Sequence, residues 1–290
     1  MPAGTRKPAL LALAVLTLIW SYNWIVMKQA MAYSGPITFS ALRYGFGTLM
    51  LFGVLALRGE SLRPPPLAAT AWIGLAQTTG FQLLVQGALV SGGAGKVALL
   101  AYTMPFWVVL LGWLALSVRP TRAVIAGLLL AATGLVLVLE PWHGLGGATS
   151  SLLAIGGGLC WAVGVLLSRR LLERGAATPL SLTAWQMAIG TAAIIVIALM
   201  VPERSVEWSG AYIGALAYNA VLASGVAWLL WTFIVARLPA SVAGISSLAI
   251  PIVGVGLAWV LLGERPSPAE GLGILLLCAA LAVVTLRPAR

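Results

Sequence analysis

Ten apolar stretches, each about as long as a bilayer's hydrocarbon core is thick, fill nearly the whole of this chain. The last five repeat the pattern of the first five. Runs of about 20 apolar residues read as membrane-crossing helices. They fall at 8–28, 36–57, 67–90, 95–117, 121–139, 150–171, 179–200, 209–236, 239–262 and 268–286. The connections are short and carry breakers: Gly35-Pro36, Pro64-Pro65-Pro66, Arg119-Pro120, Thr178-Pro179, Pro202 and Arg265-Pro266. A proline in a first turn costs the helix little, because its missing N–H would be unpaired there anyway. The expected fold is therefore all-α and integral to the membrane, with ten transmembrane helices.

Composition excludes the soluble alternatives. Charged residues make up 8% of 290 positions and hydrophobic ones 61%, with a mean hydropathy of +1.02. Soluble domains carry roughly 25% charged residues. The chain has no Asp, and its seven acidic residues are Glu at or near span ends. The net charge of +10 is explained by topology, so no nucleic-acid partner is expected. With the N-terminus cytoplasmic, the inner ends hold Arg6, Lys7, Arg58, Arg63, Arg119, Arg122, Arg169, Arg170, Arg174, Arg237, Arg287 and Arg290. The outer ends hold only Lys28, Lys96, Arg204 and Arg265, and Arg43 lies within a span. Lys and Arg collect on the untranslocated side, so both termini are expected in the cytoplasm. The first stretch is long enough to span and lacks a small-residue cleavage site, and is read as a helix, not a signal peptide. Cys160 and Cys278 sit inside apolar spans as packing residues, with neither a disulfide nor a metal site expected.

The repeat divides the chain into 1–145 and 146–290. Leu11 through Trp20 matches Leu152 through Trp161, and Pro36 through Arg43 and Gly47-Thr48 matches Pro179 through Gln186 and Gly190-Thr191. Tyr102 through Pro105 matches Leu248 through Pro251, and Arg119-Pro120 with Gly127 matches Arg265-Pro266 with Gly273. Five crossings per half turn the second copy upside down in the membrane. Inverted repeats of this kind recur in secondary transporters, with the substrate site near the midplane.

At these residues the chain resembles the drug/metabolite transporter superfamily, in particular its EamA group, over nearly its full length. Ile19-Trp20-Ser21-Tyr22-Asn23-Trp24 with Lys28 is similar to that group's first-helix signature, and Pro36 with Ala41-Leu42-Arg43-Tyr44 to its second. The most specific segment runs from Ala240-Ser241-Val242 through Pro251 to Leu262-Gly263-Glu264-Arg265-Pro266 and Gly271. The first half departs from it, with Ser117-Val118-Arg119 in the place of Gly263-Glu264-Arg265, so a family role for that Glu carries over to Glu264 alone. The resemblance implies transport of amino acids, nucleotide sugars or other metabolites. It also implies a bacterial inner membrane, where many members export amino acids.

Several chemistries are missing. Gly92-Gly93-Ala94-Gly95-Lys96-Val97 lacks the spacing and the hydroxyl of a phosphate-binding loop, so ATP hydrolysis is not expected. The one histidine, His143, falls in a predicted loop with no acid near it inside a span, so no enzyme activity and no cofactor are expected. Proton-driven transporters carry Asp, Glu or His within the membrane, and none is evident at midplane depth. Facilitated diffusion or exchange is therefore expected over proton antiport.

Polar and aromatic residues at mid-helix depth are the candidate substrate-binding set. They are Trp20 and Asn23; Gln82 and Gln86, with Gln77; Tyr102; Trp161; Tyr218, Asn219 and Trp228, with Ser224; and Ser246 and Ser247. An amide in lipid is costly, so each should face the bundle, either in a wet cavity or in an interhelical hydrogen bond. Trp20 and Trp161, at matched mid-span positions, are read as stacking surfaces, with core packing as the alternative. Trp24, Trp72, Trp142 and Trp208 lie near span ends and read as interfacial belt residues. Pro105 and Pro251 read as paired hinges or static kinks. Arg43 and Glu264 read as structural charges, Arg43 with Gln186 as its uncharged counterpart.

The sequence thus points to export of amino acids, neutral and aromatic, by alternating access through a midplane cavity. Ten helices suffice for a pathway in a monomer, and a dimer is compatible. A multidrug or other metabolite exporter of the same fold, and a non-transporting scaffold or lipid-handling protein, remain as alternatives.

Overall fold

The computed structural model describes residues 6–91, 94–143, 147–262 and 267–286, all helix or short connection with no strand among them. Glu264 lies outside the described residues. We label the helical segments α1 (Arg6–Ala30), α2 (Pro36–Leu57), α3 (67–91), α4 (94–116), α5 (Arg122–Leu139), α6 (Ala148–Glu173), α7 (Pro179–Met200), α8 (Gly210–Arg237), α9 (240–262) and α10 (Pro268–Leu286). Among the described residues, six stretches are long and apolar enough to cross a bilayer by length and composition: those in α1, α2, α4, α6, α7 and α8. Shorter apolar helices account for 122–138, 240–254 and 268–284.

The helix starts are written locally. Pro36 and Pro179 open α2 and α7. Thr121, Thr178 and Ser209 each accept a backbone N–H of the first turn they precede, from Val124, Ser181 and Tyr212. Ser267 and Glu270 form a reciprocal capping box at α10, with the Ser267 N–H donating to Glu270 Oε2 and the Glu270 N–H to Ser267 Oγ. The Glu203 carboxylate accepts from the N–H groups of Ile37 and Thr38, completing the start of α2 from the α7–α8 connection. Gly59 and Gly175 follow α2 and α6 at φ +63° and +64°, a conformation that favours glycine.

Two departures from regular α-helix stand out. Gly74–Gly80 of α3 and Tyr218–Val226 of α8 are π-helical. In addition, α4 and α9 are broken, not bent. Helix α4 consists of Ala94–Ala101 and Met104–Leu116, and α9 of Ala240–Ser246 and Ala249–Leu262. Bonds from Thr103 N to Leu100 O and from Leu248 N to Ile245 O tighten the chain at each break. Pro105 and Pro251 lie in the first turn after the break, where a proline is tolerated. This corrects the expectation of mid-helix kinks: each proline starts a new segment.

Helices pack in a regular scheme. The partners are α2 with α7, α5 with α10, α3 with α6, and α1 with the last part of α8. The second part of α9 packs on α1, as α4 packs on α6. Glycines let backbones meet: a Cβ on Gly134 of α5 would lie 2.8 Å from the Gly273 carbonyl oxygen of α10, and one on Gly190 of α7 would lie 2.7 Å from that of Gly74. Large apolar side chains such as Leu49, Leu129, Leu152, Leu199 and Leu275 are exposed around the outside, as lipid contact requires. The largest buried cluster includes Tyr44, Trp161, Trp228 and Trp231.

Candidate functional site

Between α1, α2, α3, α4, α6, α8 and α9 lies a cavity of about 60 Å3. That is room for a few waters or for the headgroup of a ligand, against roughly 300–1,000 Å3 for an open small-molecule pocket. Helix α1 contributes Trp20, Asn23, Trp24 and Met27, which recur at i, i+3, i+4 and i+7 and so share one helix face. Arg43 and Tyr44 come from α2, Phe81, Gln82 and Val85 from α3, and Ala101, Tyr102 and Met104 from around the break in α4. Trp161 of α6, Trp228 of α8 and Ile250 beside the α9 break complete the wall.

The two breaks are held against the helices that carry the paired tryptophans. Ser21 Oγ donates to the Ile250 carbonyl at 2.8 Å, fixing α9 to α1. On the other side Gly158 of α6 leaves no room to spare, since a Cβ there would lie 2.9 Å from the Ala101 carbonyl oxygen.

One end of the cavity is aromatic. Trp161 meets Phe81 at 4.6 Å between ring centroids, Trp228 at 5.1 Å and Trp20 at 5.5 Å. Trp231 packs beneath, 5.7 Å from Trp161 and 6.0 Å from Trp20. The Trp20 indole N–H donates to the Ala223 carbonyl, while the Trp161 indole N–H has no partner.

The other end is polar and centred on Arg43, which is 4% exposed. One terminal nitrogen donates to Asn219 Oδ1 at 2.8 Å and faces Met27 Sδ. The other donates to the Tyr44 hydroxyl at 2.7 Å and to Gln82 Oε1 at 3.3 Å. Arginine only donates, so the remaining directions follow from it. The Tyr44 hydroxyl donates to Gln82 Oε1, Gln82 Nε2 donates to Ser40 Oγ, and Ser40 donates to the Pro36 carbonyl. Every acceptor around the guanidinium is neutral, and its Nε–H has no partner.

The sequence-predicted residues divide. Trp20, Asn23, Gln82, Tyr102, Trp161 and Trp228 line the cavity. Asn219 sits one hydrogen bond behind Arg43. Gln86, Tyr218, Ser246 and Ser247 do not line it. Gln86 is buried with neither amide atom bonded, and Gln77 is wedged against Gly164 of α6. The Tyr218 hydroxyl donates to the Ile19 carbonyl, and its ring stands edge-on to Tyr22. Ser224 is buried against Gly47 of α2, and Ser246 at the α9 break, both hydroxyls without a partner. Ser247 turns back onto the Gly244 carbonyl. Trp24 corrects the belt assignment: it lines the cavity, whereas Trp72, Trp142 and Trp208 are more than half exposed. Arg43, expected as a structural charge, lines the cavity too. So do Tyr44, Phe81 and Met27, of which only Met27 has a sequence signal, its helical spacing from Trp20.

The model of the EamA-like transporter family matches residues 7–140 and again 148–286. "Uncharacterized transporter YoaV" of Bacillus subtilis is 25% identical over 278 residues, covering 93% of this chain and 94% of that one. A Salmonella typhimurium protein named "Probable amino-acid metabolite efflux pump" is 25% identical over 287 residues, with 96% and 94% covered. A "Probable terminal-alkyne amino-acid exporter" of Streptantibioticus cattleyicolor is 26% identical over 266 residues, with 90% and 87% covered. A solved crystal structure superposes with a TM-score of 0.80 at 23% identity over 97% of both chains, which is a likeness of fold.

Proposed function

The chain belongs to the EamA-like transporter family of multi-pass membrane proteins, and from that premise we propose that it exports amino acids, neutral and aromatic ones, across the bacterial inner membrane. The observation that carries this reading is the cavity itself, with indole and phenyl rings at one end and a single cation with amides at the other. A neutral amino acid has that division: an apolar body and a small polar headgroup. Nucleotide sugars carry several negative charges and would call for more than one cation. Substrate passes unchanged, without enzymatic chemistry, and a monomer provides the whole path.

In this reading residues 1–145 and 146–290 are inverted five-helix repeats making ten crossings, with both termini cytoplasmic. Support comes from the packing scheme, in which α2 pairs with α7 and α5 with α10 while the remaining contacts exchange between halves. The π-helical turns and helix breaks also fall in corresponding helices of each half. The cavity then lies from the midplane outwards, and the Trp20, Trp161, Trp228 and Trp231 cluster closes it towards the cytoplasm. Trp20, Trp161 and Trp228 contact the substrate's apolar body. Asn23, Gln82 and Tyr102 offer it hydrogen bonds, with Asn219 acting through Arg43. Pro105 and Pro251 mark the joints at which α4 and α9 flex. The acids among the described residues sit at helix ends or in connections, so movement is by facilitated diffusion or exchange.

Counterflow in proteoliposomes tests this reading, with labelled phenylalanine, tryptophan and leucine set against nucleotide sugars and cationic dyes. Flux of the amino acids alone is expected, unchanged when the pH gradient is collapsed at constant membrane potential. Dye flux alone would point to a multidrug exporter, and no flux of any class to a scaffold.

A further inference from the structure

The guanidinium of Arg43 poses a problem that hydrogen bonding to its neighbours does not solve. Arginine stays charged under all physiological conditions, and a buried charge is normally paired with an opposite one. Arg43 is buried and donates only to neutral acceptors, on Asn219, Tyr44, Gln82 and Met27. Its Nε–H is buried without an acceptor. No carboxylate among the described residues bonds to it. A group in this state has an unmet demand for an anion, and here it forms part of a cavity wall.

Resting on the transport reading above, we propose that Arg43 is the carboxylate anchor of the transported molecule, and that the cavity takes monocarboxylates with an apolar or aromatic body. The four terminal N–H groups of Arg43 already face neutral acceptors, so a carboxylate takes the unspent Nε–H and displaces one of them, such as Met27 Sδ or Gln82 Oε1 at 3.3 Å. Bonds between charged partners are roughly twice as strong as neutral ones. Among the described residues Arg43 is the only charged one lining the cavity, so a single negative charge is balanced and a diphosphate is not. The neutral ring of Asn219, Tyr44 and Gln82 holds the fork in place without neutralising it. Elsewhere in the lining, Asn23 Oδ1 is a buried acceptor with no partner among the described residues, available to receive an N–H of the ligand. No acid among the described residues lines the cavity to pair with an ammonium group. The carboxylate is therefore the charged handle that matters, and the α-amino group is secondary. Amino acids fit, and so do simple aryl-acetic acids.

The test uses the full-length protein in detergent and reads ligand-dependent melting shifts for two pairs: phenylacetate with phenylacetamide, and L-phenylalanine with L-phenylalanine amide. Each carboxylate is expected to bind roughly tenfold or more tightly than its amide. Arg43→Gln should abolish that preference and Arg43→Lys retain part of it, because lysine keeps the charge but loses the fork. The wild-type comparison holds even where a variant fails to fold. Equal binding of carboxylate and amide, no binding by either carboxylate, or a preference that survives Arg43→Gln in monodisperse protein overturns the anchor. Counterflow measured in parallel separates the two readings. Flux without carboxylate preference removes the anchor and leaves transport standing, and carboxylate binding without flux does the reverse.

Discussion

The indole rings of Trp20 and Trp161 meet edge to face with their centroids 5.5 Å apart. These are the matched tryptophans of the two sequence repeats, 141 positions apart in the chain and touching at the centre of the bundle. Both also line the cavity, so each touches its partner and borders the space a substrate would occupy. Core packing is present in these contacts, and stacking on a ligand is the role proposed for the same side chains. A cavity of about 60 Å3 holds a headgroup but not a whole aromatic amino acid. These rings must part for such a ligand to enter fully.

Trp161→Ala removes the ring with the most aromatic neighbours and leaves a void among Phe81, Trp20, Trp228 and Trp231. Large-to-small changes of this kind cost about 3 kcal/mol or more, read as a lowered melting temperature in detergent. Aromatic contacts contribute roughly 0.5–1.5 kcal/mol beyond burial, so KM for phenylalanine should rise about three- to tenfold. Trp161→Phe should recover most of both. An unchanged KM with a lowered melting temperature would leave packing as its only role.

Pro105→Ala and Pro251→Ala test the breaks in α4 and α9. Both prolines sit in a first turn where no backbone hydrogen bond is lost, so stability should move by less than about 1 kcal/mol. The alanine N–H makes a continuous helix available, stiffening the joint. Turnover in counterflow should fall while KM holds. If turnover is also unchanged, the breaks are maintained by packing on α1 and α6, and the prolines are not hinges.

Much of the fold was legible because lipid imposes strict rules on composition. The helices α2, α7 and α10 begin and end where the apolar runs do, since a proline opens each run and Arg58-Gly59, Val201-Pro202 and Arg287 follow their ends. The π-helical turns at Gly74–Gly80 and Tyr218–Val226 left no such mark. They arise where α3 crosses α7 and where α8 crosses α2, and no local motif encodes a crossing. The site was legible in kind but not in membership. Polarity showed that Gln86, Tyr218 and Ser247 needed partners, yet not that Tyr218 would find the Ile19 carbonyl and Ser247 the Gly244 carbonyl. Trp24 lies near the span end, but the helix face it shares with Trp20 and Met27 decides its place on the cavity.

Gly134→Val probes the α5–α10 pair, away from the cavity. Its Cβ would come within 2.8 Å of the Gly273 carbonyl oxygen and 3.0 Å of Leu277 Cγ, so the helices must separate. Overpacking of this kind costs roughly 1–3 kcal/mol. A lower melting temperature is expected, with KM per folded molecule unchanged. A raised KM would mean that the α5–α10 seam communicates with the site.

Orientation can be settled with two cysteines. Ser61, between α2 and α3, and Ser205, between α7 and α8, are both exposed. Five proposed crossings separate them, so they should face opposite sides of the membrane. The native thiols give little background, because Cys160 and Cys278 lie within α6 and α10 and not in a connection. In intact spheroplasts a membrane-impermeant maleimide should label Ser205→Cys at once, and Ser61→Cys only after permeabilisation. The reverse pattern would place the termini outside and turn the cavity towards the cytoplasm. Labelling of both from one side would mean that one segment from α3 to α7 does not cross, and the inverted relation of the two halves would fall with it.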